Sequence, residues 1–130
     1  EYLSKKYRLG IVTGRPREEA YYVLNRFKVL EFFDAVIVME DCNKKQKPDP
    51  FGINLAFKKL EVTNKKSAIY IGDNIDDIKA AKNAGIKAIG ILQQDNNPND
   101  NTSNSLKKLM VNNGAIKILD DINQLTSVIT

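Results

Sequence analysis

The chain has 130 residues, 42% of them apolar, which is enough for one hydrophobic core and a single domain over 1–130. Its formal charge of +4 comes from lysines scattered over many segments, without a basic stripe interleaved with aromatics, so a solvated surface is expected rather than a nucleic-acid face. A single cysteine, Cys42, excludes an internal disulfide and suits a reducing, cytoplasmic compartment, and the lack of histidine leaves oxygen ligands for any metal, favouring magnesium over zinc.

No apolar run reaches the roughly 18 residues of a membrane-spanning helix, and no signal-peptide pattern stands at the start. The first residue is Glu1 rather than methionine, so further sequence is expected upstream.

Short apolar runs alternate with amphipathic stretches throughout, the pattern of strand-helix units in an α/β sheet. Leu9 to Thr13 is a predicted buried strand, and Pro16 opens a helix in which Ala20, Val23, Leu24 and Phe27 recur at helical spacing. Ala35 to Met39 is the next strand. After a lysine-rich loop, Asp49 and Pro50 form a cap and first-turn proline for a helix whose apolar face is Ile53, Ala56, Phe57 and Leu60.

Ala68 to Ile71 is a third strand, and Ile75, Ile78, Ala81 and Ala84 mark a helix that Gly85 stops. Lys87 to Leu92 is a fourth strand. The asparagine-rich stretch Gln93 to Ser105 is expected to be a flexible loop. Leu106 to Val111, Ala115 to Leu119 and Ile122 to Ile129 then add helix, strand and helix.

Three strand ends carry groups suited to phosphate or metal. In Ile71-Gly72-Asp73-Asn74-Ile75-Asp76-Asp77 the spacing sends the carboxylates of Asp73 and Asp77 toward one point above the sheet edge. Such a pair suits a magnesium ion that keeps several waters, although acids at a helix start also complement the helix dipole. Thr13 and Gly14 end the first strand where a hydroxyl and an amide can receive phosphate oxygens, a turn sequence that is weak by itself. Arg15 beside them reaches either substrate or solvent. Lys47 leaves a loop stiffened by Pro48 and Pro50, where a fixed cation can neutralise charge on a transferring phosphoryl group.

In order and spacing these segments resemble motifs two, three and four of the haloacid dehalogenase superfamily of phosphohydrolases, over about residues 9 to 92. The Gly-Asp-Asn-Ile-Asp-Asp segment followed by Ile-Lys-Ala-Ala-Lys-Asn-Ala-Gly is typical of its phosphoglycolate-phosphatase-like branch, subfamily IA. The resemblance implies a Rossmann-like core, a three-layer sandwich around a mostly parallel sheet. It also implies that Thr13 binds the phosphoryl group, Lys47 stabilises an aspartyl-phosphate, and Asp73 with Asp77 holds or orients magnesium. Thr-Gly-Arg-Pro departs from the Thr-Asn or Ser-Asn usual in that branch.

Motif one is absent. Family members carry an Asp-x-Asp pair in which one aspartate attacks phosphorus and the other serves as general acid and base, and no Asp-x-Asp precedes Thr13. In the family sheet that strand lies between those matching Leu9–Thr13 and Ala68–Ile71. An upstream part of the same protein is therefore expected to supply the nucleophile strand and a substrate-selecting cap.

The expected function is a magnesium-dependent phosphatase acting on a small phosphorylated metabolite, with this chain as the C-terminal portion of the catalytic core. The alternative is a non-catalytic phosphate-binding or interaction module that keeps the fold without a nucleophile. A phosphoacceptor receiver domain fits poorly because its acidic pair precedes the Thr and Lys. A dinucleotide-binding domain lacks its Gly-x-Gly-x-x-Gly.

Overall fold

A computed structural model describes residues 1–92 and 102–129. They form two compact units, Glu1–Thr63 and Asn64–Thr130, each a parallel sheet with helices packed on it. The expected α/β class is the observed one.

In the N-terminal unit β1 (Gly10–Val12) pairs in parallel with β2 (Ala35–Ile37), Ile11 opposite Val36 and Val12 opposite Ile37. Strand side chains alternate between faces. Ile11, Val36 and Val38 accordingly meet Ala20 and Leu24 of α1 (Arg17–Arg26), whereas Val12 and Ile37 meet Ala56 and Leu55 of α2 (Phe51–Lys59) and the thiol of Cys42. The unit is thus covered on both faces, which is why its strands read as unbroken apolar runs.

All four apolar positions expected on α2, Ile53, Ala56, Phe57 and Leu60, are buried. On α1 the expected stripe is only half used, since Phe27 is 67% exposed while Ala20 is buried. Phe27 lies just past the last turn of that helix, where it no longer faces the sheet. Cys42 is buried, and burial raises its thiol above the ordinary range, so it acts as a small apolar core residue.

In the C-terminal unit β3 (Ile69–Gly72), β4 (Lys87–Ile91) and β5 (Ala115–Leu119) run parallel in that order, with a register irregularity at Ala88/Ile89. α3 (Ile75–Ala84) packs on β3 and β4, α4 (Thr102–Asn112) on β5, and α5 (Leu125–Ile129) closes the chain. Ile78, Ala81, Ala84, Ile89 and Met110 are each no more than 2% exposed and form the core of this unit.

Gly85 ends α3 as expected, at φ 77°, a conformation that costs glycine nothing. The Ile86 N–H then closes onto the Ala81 carbonyl at 3.0 Å, and Lys65 Nζ donates to the carbonyl of Ala84 at 2.7 Å. These bonds satisfy acceptors that the end of a helix leaves open.

The start of α4 differs from expectation. α4 begins at Thr102, a turn ahead of Leu106, because Thr102, Ser103 and Asn104 make a polar first turn with no apolar periodicity to announce it. The remainder of the expected loop, 93–101, lies outside the described residues.

The two strands that the resemblance sets beside the missing nucleophile strand are edge strands here, β1 in one sheet and β3 in the other. β2 is buried at every residue and Ile89 of β4 is 1% exposed, whereas β1 has no buried residue and Ile69 of β3 is 42% exposed. No helix among the described residues is long and apolar enough to cross a membrane.

Candidate active site

Thr13 follows β1, and its N–H donates to the carbonyl of Ile37 at 2.9 Å, so the chain leaves the sheet only after this residue. The Thr13 Oγ1 accepts the N–H of Arg15 at 3.1 Å, folding Thr13-Gly14-Arg15 into a tight turn that exposes Gly14 and Arg15. The Arg15 side chain contacts Glu19 at 3.6 Å, with both side chains largely in solvent. That pair is worth little in stability and leaves the guanidinium available.

Lys47 comes to the same strand end. Its Nζ lies 3.5 Å from the carbonyl oxygen of Val12, a long contact for a half-buried ammonium. The loop that delivers it is anchored at its far side by Asp49, whose Oδ1 accepts the N–H of Phe51, the first residue of α2, at 2.9 Å. The N-terminal unit therefore gathers Thr13, Gly14 and Lys47 around the carboxyl end of β1. Such a cluster offers a hydroxyl, an amide and an ammonium to an anion.

In the C-terminal unit the two aspartates have different surroundings. Asp77 is 3% exposed, and its Oδ2 accepts the N–H groups of Asp73 at 3.1 Å and Asn74 at 3.3 Å. The Tyr70 hydroxyl donates to its other oxygen at a long 3.5 Å, and the Asp77 N–H returns to Asn74 Oδ1 at 3.0 Å. This is a capping box for α3 closed by an aspartate.

Gly72 makes the arrangement possible. A Cβ there would stand 2.6 Å from Asp77 Cγ and 2.7 Å from Oδ2, so any larger residue would push the carboxylate off the loop. Asp73, by contrast, is exposed at the end of β3. A groove beside Asp73 and Asn74 is walled by Leu92, Thr102, Ser103 and Leu106.

These residues fit magnesium in part. Among the described residues no three acidic, cysteine or histidine side chains gather into a metal-holding group. Exposed Asp73 can offer an oxygen to a cation that keeps its waters, whereas the carboxylate of Asp77 already accepts from backbone amides. Asp77 accordingly orients the loop that carries Asp73.

Sequence reasoning overlooked Glu40 and Asp41. Both oxygens of Glu40 accept the N–H of Arg17, at 3.1 and 2.9 Å, and Asp41 Oδ1 accepts Arg17 Nη2 at 2.6 Å. Asp41 Oδ2 also takes the Val38 N–H at 3.0 Å. The signal was faint, because two acids after a strand carry no periodicity and their partner is 23 and 24 residues away.

The Val38 amide, followed by Arg17, holds the carboxyl of Asp41 below its ordinary value of 3.8. A depressed carboxyl contributes stability that is complete above the unfolded value and is lost as pH falls through the folded one. Urea unfolding at about pH 6 and pH 3 is therefore expected to show a smaller acid loss for Asp41→Asn than for the unmodified protein. Equal losses in both would remove Asp41 from the acid limb.

Residues 1–91 match the family model described as haloacid dehalogenase-like hydrolase. The pyrophosphatase PpaX of Bacillus velezensis is 40% identical over 85 residues, which is 65% of this chain and 38% of that protein. A solved structure described as a candidate beta-phosphoglucomutase from Thermotoga maritima superposes with a TM-score of 0.77 at 28% identity, covering 97% of this chain and 55% of that one.

A HAD-hydrolase from Bacillus subtilis, YfnB, described as bound to magnesium, has the same fold, with a TM-score of 0.77 at 21% identity over 98% of this chain and 50% of its own. The chain spans well under half the length of the PpaX relative and about half that of these two structures.

Proposed function

The chain belongs to the haloacid dehalogenase-like hydrolases, and on that premise we propose that the intact protein is a magnesium-dependent phosphatase acting on a small phosphorylated metabolite in the cytoplasm. The observation that carries this reading is the meeting of Thr13, Gly14 and Lys47 at the end of β1.

In this reading the Thr13 hydroxyl and the Gly14 amide donate to phosphoryl oxygens. The Lys47 ammonium offsets the negative charge that accumulates during transfer. Asp73 would hold magnesium, which when bound screens the phosphate charge from an incoming carboxylate. Asp77 keeps the Asp73 loop in shape through the two amides it accepts.

The nucleophile is an upstream aspartate whose carboxylate oxygen bonds to phosphorus as the bond from phosphorus to the leaving oxygen breaks. A neighbouring acid gives that oxygen its proton, and water then cleaves the aspartyl-phosphate. Support for an upstream strand comes from the sparse burial of β1 and β3, since parallel strands are ordinarily covered and paired on both sides. The cap that selects the metabolite belongs to the same upstream part.

The test is hydrolysis of p-nitrophenyl phosphate by the intact protein in millimolar magnesium. Turnover is expected to stop on chelation and in Asp73→Asn, with that variant still folded. An intact protein that binds inorganic phosphate yet hydrolyses no phosphomonoester would instead be a non-catalytic phosphate-binding module.

A further inference from the structure

The Thr13–Arg17 segment is short of free donors. The Thr13 N–H is used by Ile37, the Arg15 N–H by Thr13 Oγ1, and Pro16 has none. The Arg17 N–H, which at the head of α1 would ordinarily attract an anion, is held by both oxygens of Glu40. Among the described residues no acceptor engages the Gly14 N–H. The Thr13 hydroxyl, accepting from Arg15, keeps its own hydrogen to give away.

The segment after β2 imposes this outcome. The Met39 N–H donates to the Arg15 carbonyl at 3.0 Å, fixing the turn from its far side. Glu40 then occupies the first helical amide, and Asp41 binds the Arg17 guanidinium while tying itself to Val38. Gln46 closes the remaining flank, with its Oε1 3.3 Å from where a Cβ on Gly14 would sit.

We propose that Glu40 and Asp41 are positioning residues for the phosphoryl pocket: by occupying Arg17 they leave the Gly14 N–H and the Thr13 O–H as the donors the turn presents. Without Glu40 the Arg17 amide competes for the anion and draws it toward the helix, away from Lys47. The inference rests on the phosphatase reading of this turn and adds residues that touch no substrate.

Amide NMR of the intact protein titrated with inorganic phosphate tests it. In the unmodified protein the Gly14 amide is expected to shift on binding and the Arg17 amide to stay still. In Glu40→Ala the Gly14 response should shrink, the Arg17 amide should begin to respond, and the phosphate Kd should rise about tenfold. Glu40→Gln keeps one acceptor for Arg17 and should lie closer to the unmodified protein. It serves in place of Glu40→Ala if the alanine variant does not fold, together with Asp41→Asn.

A merely structural role would lower stability without transferring the response from one amide to the other. Identical Gly14 and Arg17 responses in the variants and the unmodified protein overturn the proposal. A Gly14 amide that ignores phosphate in the unmodified protein would instead sink the phosphoryl-site reading, and this inference with it.

Discussion

Lys47→Ala in the intact protein is expected to slow phosphomonoester hydrolysis roughly 10²- to 10³-fold while leaving the protein folded. The asymmetry follows from where the ammonium lies. Its Nζ lies 3.5 Å from the Val12 carbonyl, at the strand end that carries the Thr13 hydroxyl and the Gly14 amide. Its backbone is held independently, because Asp49 accepts the Phe51 N–H at the start of α2 whatever side chain stands at position 47.

Removing the ammonium should therefore take away charge stabilisation and leave the loop in place. Lys47→Arg is not expected to rescue turnover, since a planar guanidinium cannot occupy the site of a compact ammonium. Steady-state kinetics with p-nitrophenyl phosphate, paired with urea unfolding, make the comparison. A kcat within about threefold of the unmodified value would remove Lys47 from the mechanism.

Asp77→Ala has the opposite character, with an expected loss of about 2–4 kcal/mol of stability in urea unfolding. Its carboxylate is 3% exposed and bonds the amides of Asp73 and Asn74, so truncation leaves those donors without their partner and a void beneath Gly72. Asp77→Asn keeps one oxygen for the amides and should lose less. Activity should fall too, because the loop that carries Asp73 loses its support, and added magnesium should restore only part of it. Were Asp77→Ala as stable as the unmodified protein, the carboxylate would not be the loop's anchor, and direct metal binding would regain ground.

Much of this molecule is legible without coordinates. The strands announce themselves as apolar runs at Leu9, Ala35, Ala68 and Lys87, although only the second is buried throughout, and α2 and α3 are marked by stripes that do reach the core. The end of α3 is written in Gly85, because a left-handed residue after a helix favours glycine. Thr13, Lys47 and Asp73 are proposed from the sequence because strand ends are where α/β folds present their chemistry.

What one dimension could not convey were matters of partner choice. Asp73 and Asp77 look alike as letters, yet burial and amide donors make one a loop anchor and leave the other exposed. Glu40 and Asp41 read as solvated acids until the return of the chain after β2 brings them to Arg17. Phe27 keeps helical spacing but lies past the end of its helix and turns outward.

Periodicity and turn chemistry are local, set by backbone sterics over a few residues, and so the sequence by itself determined the order of elements, their apolar faces and the chemistry at the strand ends. Hydrogen-bond partners far apart in the chain depend on how elements pack, and only the tertiary structure decided which carboxylates are buried against backbone amides and which stand exposed.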